Sequence, residues 1–227
     1  MAVAYDNAAL TTGGGASPLT VGITVGSGAD RGFVICVGNN QSGVTVTAAS
    51  LGGVSATSAG ARAINGNTSM HLWWGLAPAS GAQTASITLD NTFAQISLHV
   101  ITIDGVASFS DYASANAASG GTTDDITVTV PNIGANDMAL CGVKGGGGGT
   151  LTAAGSTIRR TDSAAATRSA SGTLLGSAGS APAFDGQFSD AWVIGALRAV
   201  AASSGVVGPL MGGHLLGGGI LAGRLVS

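Results

Sequence analysis

The sequence predicts an all-β protein, an antiparallel two-sheet β-sandwich followed by a glycine-rich apolar C-terminal tail. Charged residues make up only 8% of the 227 positions, glutamate is absent, and Lys144 is the single lysine. Glutamate and lysine favour helices, whereas valine, isoleucine and threonine fit a pleated, half-buried surface. Short runs of these β-forming residues recur between segments rich in glycine, proline, asparagine and aspartate, which are typical of turns.

Six predicted strands occupy the first hundred residues or so. LTVGITV and GVTVTAA alternate apolar with polar residues, as half-buried strands do, while GFVICVG and SMHLWWGL are more uniformly apolar. The segments GSGADR, NNQSG, LGG, INGNT, PASGA and LDN carry the turn residues that separate these runs. The six strands are predicted at residues 19–25, 32–38, 43–49, 69–76, 84–89 and 95–103.

Three further strands are predicted in the second half of the chain. ITVTV, MALCGV and AWVIGALR place them at residues 126–130, 138–143 and 191–198, with PNIGAND and KGGGGGT as turn segments. Two stretches rich in alanine, glycine and serine, residues 113–123 and 163–183, have no periodicity. They are predicted to be surface loops or long excursions.

A weak internal similarity links the two halves of the sequence. Residues 19–38 and 124–145 both contain a strand, a turn and an apolar strand with a cysteine, and residues 95–107 resemble 190–201. Two halves of similar plan suit a sandwich in which each half contributes to both sheets. Any sandwich gives some similarity of this kind, so the pattern alone does not establish a duplication.

Three regions are predicted along the chain. Residues 1–202 form the sandwich domain, residues 203–208 a linker and residues 209–227 an apolar tail. Apolar pairs in the tail recur every five residues, a spacing that matches neither a helix nor a strand. The seven glycines from residue 208 onward also disfavour a helix in water.

The tail is predicted to be an assembly element, because its large apolar side chains need a cover. Its glycines permit close backbone approach, either between the tails of a homo-oligomer or against another subunit. His214, Arg224 and the glycines interrupt the apolar run and argue against a membrane span. The residues expected to make the assembly contacts are Leu210, Met211, Leu215, Leu216, Ile220, Leu221, Leu225 and Val226.

The charge distribution argues against nucleic-acid binding. The formal net charge is −3, and no basic cluster is larger than the dipeptide Arg159-Arg160. The N-terminal residues have no basic segment followed by an apolar run, so a classical signal peptide is not predicted. Synthesis in the cytoplasm is therefore expected.

The sequence suggests no catalytic, cofactor-binding or metal site. The HExxH motif needs a glutamate, and Lys144 is followed by glycines where a Walker A motif needs serine or threonine. His71 and His99 lie in apolar strands without partners at metal-ligand spacing, so hydrogen-bonded rings within a sheet are expected. For Cys36 and Cys141, buried free thiols are favoured over a bridge between facing strands. A protein without enzymatic activity is expected.

Trp73 and Trp74 are adjacent in a predicted strand, so their side chains point to opposite faces of the sheet. One of them is expected in the core. The other is a candidate contact for a glycan or for another subunit, since aromatic residues are enriched at both kinds of surface. Trp192 begins the last predicted strand and is expected in the core.

Several motifs resemble a pattern that recurs in uncharacterised phage and bacterial β-sandwich proteins. They are SPLTVGITVGSGADRGFVICVG, LGGVSAT, MHLWWGLAPASGAQTASITL, ISLHVITIDGVA and AWVIGALRAVA, and they cover about residues 5–202. The resemblance implies a jelly-roll-like sandwich and brings no catalytic residues with it. This sequence departs from the pattern at Asp30, where asparagine is commoner, in its glycine- and alanine-rich second half, and in its tail.

The resemblance and the tail together favour a structural protein of a tailed-phage virion, a capsid decoration or fibre-like subunit. Its expected partners are copies of itself and other virion proteins, with neither nucleic acid nor a membrane. A virion protein is made in the host cytoplasm and released by lysis, which agrees with the N-terminal sequence. Two alternatives stay open: a glycan-binding module for host adsorption, and a bacterial surface or matrix protein.

Overall fold

A computed structural model describes residues 1–15, 17–41, 43–117, 124–146, 151–164, 168–177, 181–186 and 191–203. Over these residues the secondary structure consists of eighteen β-strands, all paired antiparallel, without a helix. The all-β prediction is confirmed. The predicted linker from residue 204 and the tail at 209–227 lie outside the described residues.

The strands divide between a first half, which ends at Asp104, and a second half, which begins at Val106. The first half contains β1 (Ala4–Gly15), β2 (Leu19–Val25), β3 (Gly32–Asn39), β4 (Val46–Leu51), β5 (Val54–Ser55), β6 (Thr57–Ser58), β7 (Ala63–Asn65), β8 (Thr68–Leu76), β9 (Gly81–Leu89) and β10 (Phe93–Asp104). The second half contains β11 (Val106–Ala117), β12 (Asp124–Thr127), β13 (Met138–Gly145), β14 (Leu151–Ala153), β15 (Thr157–Asp162), β16 (Ser169–Leu175), β17 (Ala183–Gly186) and β18 (Trp192–Ala201).

Four sheets stack face to face. The first outer sheet has the strand order β2-β9-β4-β5, and the first inner sheet has the order β1-β10-β3-β8-β6, with β7 also paired to β8. The second inner sheet has the order β11-β18-β13-β16-β15, and the second outer sheet has the order β12-β17-β14. Three apolar cores fill the spaces between successive sheets, so the stack is two sandwiches packed against each other.

The number of layers differs from the two-sheet prediction, and the central strands explain why. Along β3, Phe33 and Ile35 belong to the outer core of the first half, whereas Val34 and Cys36 belong to the central core. Every residue of β3 and of β13 is buried. A strand covered on both faces needs apolar side chains at successive positions, and both sequences supply them.

The two halves have the same strand order. Replacing β1, β10, β3 and β8 by β11, β18, β13 and β16 converts one inner sheet into the other. In the outer sheets, β2, β9 and β4 correspond in the same way to β12, β17 and β14, which have the same order. The weak internal similarity of the sequence therefore corresponds to a repeated topology in the structure.

The halves face each other with approximate two-fold symmetry. In the central core β3 packs on β13, while β8 packs on β18 and β10 packs on β16. β18 is the counterpart of β10, and β16 is the counterpart of β8. When the halves are exchanged, the β8–β18 contact therefore becomes the β10–β16 contact, and the β3–β13 contact is unchanged. This reciprocity is the property of a two-fold dimer interface, found here within one chain.

Glycine permits the close approach of the inner sheets near the centre of this interface. A Cβ added to Gly142 on β13 would lie 2.8 Å from the Cβ of Cys36 on β3 and 3.0 Å from the sulfur of Met70. At Gly195 on β18 an added Cβ would lie 2.9 Å from a methyl group of Leu72. Large side chains from the first inner sheet thus rest on bare backbone of the second.

The prediction of loops over 163–183 is wrong for residues 169–175, which form β16. This strand reads SASGTLL, and its first five residues are buried between the central core and the second outer core. Small side chains fit there because a neighbouring layer lies close on each face. The prediction of a loop at 113–123 is likewise wrong for residues 113–117, which belong to β11. Strands β1, β5, β6, β7, β14, β15 and β17 were also not predicted from the sequence.

The single crossing between the halves lies beside Met1 and Ala202 at one end of the stack. Gly105, with φ of 71°, is the only residue between β10 and β11. Its carbonyl accepts a hydrogen bond from the amide of Ala202, and the carbonyl of Ala202 accepts one from the N-terminal ammonium of Met1 at 2.9 Å. The end of β18 therefore adjoins the start of the chain, just as β10 leads directly into β11.

This closed arrangement predicts that a circular permutant folds. The permutant begins at Val106, joins Ala202 to Met1 through a short Gly-Ser linker, and ends at Gly105. We expect cooperative thermal unfolding close to that of residues 1–203, measured by circular dichroism, since the linker replaces an existing contact. A second permutant opened at Ile35, inside β3, is the control and should not fold. Failure of both permutants to fold would contradict the prediction.

Candidate functional site

The structure places the two tryptophans of the predicted contact site in different cores. Trp73 is buried in the outer core of the first half, and its ring lies 4.9 Å from that of His71. Trp74 is half-buried on the opposite face of β8 and packs on Phe109 of β11, with 5.2 Å between ring centroids. Both rings therefore pack against the protein itself. Trp192 is buried in the outer core of the second half, as predicted.

The most polar part of the interior lies between the inner sheets, around His99. This histidine, on β10, is fully buried, with Ser171 Oγ 3.1 Å from its Nδ1 and Ser169 Oγ 2.8 Å from its Nε2. Both serines belong to β16 of the other half. The prediction of a hydrogen-bonded histidine in a sheet is confirmed, and its partners tie one half to the other.

His71 is the second buried histidine, and its ring also forms a hydrogen bond with a serine hydroxyl. Its Nε2 lies 2.9 Å from the hydroxyl of Ser58 on the edge strand β6. Burial lowers the pKa of His71 to about 4, with a smaller contribution from the positive charge of Arg62. His71 is therefore neutral near pH 7 and serves as a hydrogen-bonding side chain of the sheet.

Lys144 lies beside this cluster and is fully buried. Gly38 on β3 makes room for its alkyl chain, because an added Cβ there would lie 2.9 Å from Cδ of Lys144. Burial lowers the pKa of the Lys144 ammonium to about 7, and the negative charge of Asp162 opposes that shift. The cluster thus combines a buried histidine with a buried amine at one end of the interface.

The geometry of the His99 cluster suits a structural role. Burial lowers the pKa of His99 to about 3, whereas a general base works best with a pKa near the operating pH. The ring and both serine hydroxyls are also inaccessible to a substrate, since His99, Ser169 and Ser171 are all fully buried. These groups act by joining the halves with hydrogen bonds.

A carboxylate at a β-bulge braces each half. Asp6, at the register shift of β1, accepts hydrogen bonds from the hydroxyl of Thr102 and from the amide of Gly26. Asp111 occupies the corresponding shift of β11 and forms an ion pair with Arg198 at 3.0 Å. Bulges of this kind bend a strand and redirect its side chains.

Arg198 also pairs with Asp137, whose carboxylate lies 2.8 Å from the guanidinium. Although burial opposes ionisation, hydrogen bonds from the amides of Ala201 and Gly134 and from Arg198 hold the pKa of Asp137 below its usual value. Asp137 thereby fixes the end of β18, from which the chain continues toward the tail.

One surface depression, which we call the side groove, has a volume of about 570 Å³. It lies where the edge strands β1, β2 and β15 come together along the side of the stack. Its lining residues are Asn7, Ala8, Ala9, Gly22, Ile23, Thr24, Ala82, Gln83, Thr84 and Arg160. Both halves contribute to this groove, since Arg160 belongs to the second half.

Both cysteines are free and fully buried, as predicted. Cys36 faces the central core and Cys141 the outer core of the second half, so the two thiols point to different layers. Burial raises the pKa of Cys141 to about 12 and that of Cys36 further. In the described part of the chain, no group of three or more metal-ligating side chains comes together. A helix able to cross a membrane is also lacking among these residues.

No protein-family model matches the chain, and comparisons with curated proteins and with solved structures give no significant match. The side groove and the His99 cluster were both missed by the sequence analysis. His99 and Ser171 are 72 positions apart, and Gly22 and Arg160 are farther still. Only the fold brings these residues together.

Proposed function

We propose that this chain is a non-catalytic structural protein of a tailed-phage virion, a capsid decoration or fibre-like subunit located in the virion. The observation that carries the proposal is the position of β18, the last described strand before the tail. It is an interior strand of the second inner sheet that pairs with β11 on one side and β13 on the other. A tail leaving from this position is attached to a rigid four-layer body.

We further propose that each half is a jelly roll. Counting eight main strands of the first half in chain order, its sheets run 1-8-3-6 and 2-7-4-5. Two four-stranded sheets of this kind form the jelly roll, an architecture common in viral capsid domains. The second half repeats this order except at one outer strand position, where β15 pairs with β16 instead.

The chemistry of the described residues agrees with a scaffold. The buried histidines bond to hydroxyl groups, and the paired carboxylates brace bulges and strand ends. Such interactions specify one packing of the layers rather than a reaction. On this proposal the functional surface is the tail, which would bind copies of the same chain or other virion proteins.

Deleting residues 209–227 tests this role of the tail. We expect the truncated protein to keep the melting temperature of the full chain, because the three cores lie within residues 3–199. We also expect it to lose self-association and incorporation into particles, because large apolar side chains each contribute about 1.5–3 kcal/mol on burial. Calorimetry and light scattering measure the two properties separately.

Point variants of the full chain sharpen this test. Leu215→Asp combined with Leu216→Asp should reproduce the loss of assembly, whereas His214→Ser should assemble normally. Normal incorporation of the truncated protein, or of the double aspartate variant, would rule out an assembly role for the tail. A large fall in melting temperature on truncation would instead show that the tail belongs to the core.

A further inference from the structure

The side groove has a charge composition that points to its ligand. Asn7, Thr24, Thr84 and Gln83 supply amide and hydroxyl groups. Among the described residues that line the groove, Arg160 supplies the only charge and none is a carboxylate. Alanine and glycine occupy most of the remaining positions. Beyond Gly22 lies open space, since an added Cβ would meet no atom within 4 Å. The groove thus combines hydrogen-bonding groups, unoccupied space next to Gly22 and one cation.

A β-bulge aims that cation at the groove. In a regular strand Arg159 and Arg160 would point to opposite faces of the sheet. The register of β15 shifts between Ile158 and Arg160, and both arginines lie beside residues of β1. Arg159 lies over the ring of Tyr5, 3.7 Å from its centroid, while Arg160 lines the groove beside Asn7. Bulges that redirect side chains are enriched next to binding sites.

The neighbouring contacts hold this geometry in place. The guanidinium of Arg159 donates a hydrogen bond to Thr173 at 2.9 Å and makes a cation–π contact with Tyr5. Arg160 is exposed, and its Nη1 donates to the carbonyl of Arg159 at 2.9 Å. Arg159 therefore fixes the bulge to the first half, and the exposed Arg160 retains donors for a ligand.

We propose that the side groove binds a carboxylated saccharide, with Arg160 pairing with its carboxylate. A guanidinium binds carboxylates through two parallel hydrogen bonds, which provides both attraction and orientation. Hydroxyl and amide groups complement sugar hydroxyls, and a volume of about 570 Å³ exceeds what a small inorganic anion would fill. This function goes beyond a structural role, and it places the glycan contact away from Trp73 and Trp74.

An extended peptide fits the groove less well than a saccharide. Addition of a strand would require free backbone groups along β1 and β2. The side chain of Asn7 already joins these edges, since it accepts from the amide of Ala8 and donates to the carbonyl of Thr24 at 2.9 Å. This amide bridge occupies the position that a peptide backbone would take.

The test uses the full chain and two matched sugars, methyl β-glucuronide and methyl β-glucoside, which differ only in the carboxylate. We expect the glucuronide to perturb amide signals of residues 7–9, 22–24 and 82–84 in NMR titrations. The glucoside should bind about tenfold more weakly, because it lacks the charge-assisted hydrogen bonds to the guanidinium. Arg160→Gln should remove the difference between the two sugars.

Two strand variants separate blocking from misfolding. Gly22→Val places a side chain in the unoccupied space next to Gly22. Because valine favours strands, the protein should fold, but it should lose glucuronide binding. Ala48→Val, on an exposed position of β4 outside the groove, should bind like the wild type. Equal binding of both sugars, no binding of either, or glucuronide binding that survives Gly22→Val would overturn the proposal. The assembly role of the tail is measured separately and would stand in each case.

Discussion

Replacing Gly142 with valine is expected to destabilise the protein by about 3 kcal/mol, in the upper range for overpacked cores. The new Cβ would lie 2.8 Å from the Cβ of Cys36, a contact between two main-chain-attached atoms that no rotamer change relieves. The inner sheets would have to separate, and this would disturb the central core along its length. Urea unfolding followed by tryptophan fluorescence measures the loss of free energy of unfolding.

The approximate two-fold symmetry supplies a specific control for this prediction. Cys36 and Gly142 occupy corresponding positions on β3 and β13 and face each other across the interface. Exchanging them, Cys36→Gly with Gly142→Cys, should be less destabilising than the sum of the two single changes. If the two single destabilisations simply add in the double variant, the side chains at positions 36 and 142 do not pack against each other. The symmetric description of the interface would then be wrong.

Acid is expected to destabilise the fold strongly through its two buried histidines, His99 and His71. The pKa of the His99 ring falls from an ordinary 6.5 to about 3 because it is buried. Below pH 6.5 the unfolded chain therefore binds a proton that the folded chain excludes, so stability falls as the pH falls. Between pH 6.5 and 4.5 one such group lowers the free energy of unfolding by about 2 kcal/mol.

Histidine variants test the origin of this pH dependence. His99→Gln keeps a side chain that can hydrogen-bond Ser169 and Ser171, and it should reduce the proton uptake on unfolding by about one. His71→Gln should reduce it by a similar amount down to pH 4, where His71 itself titrates. Urea midpoints at pH 7.5, 5.5 and 4.5 give the slopes. An unchanged slope in His99→Gln would assign the acid sensitivity to other groups.

Local sequence patterns predicted much of this fold, because strand composition and turn residues act over short distances. Residues 19–25 were predicted with the bounds of β2, and β3, β8 and β13 were found within two residues at each end. The number of layers was not predicted, although the signal was present. The continuous apolar runs around Cys36 and Cys141 match strands covered on both faces, whereas a two-sheet sandwich needs alternation.

Other features depend on packing that local patterns do not encode. The run SASGTLL of β16 has too few large residues to predict a buried strand, because its cover comes from His99 and the neighbouring layers. The side groove depends on a single extra residue in β15, which redirects Arg160 toward residues more than 130 positions earlier. Composition and periodicity contain no information about such a contact.

The place of β18 in its sheet determines how the body responds to force. A load applied through the residues after Ser203 pulls along β18, which is bonded to β11 and β13 over most of its length. Both hydrogen-bond ladders are then loaded in shear, so many bonds resist together. An edge strand pulled from its end would instead peel away one bond at a time. If the proposed assembly role of the tail holds, attachment through this strand would load the body in the direction in which its hydrogen bonds resist together.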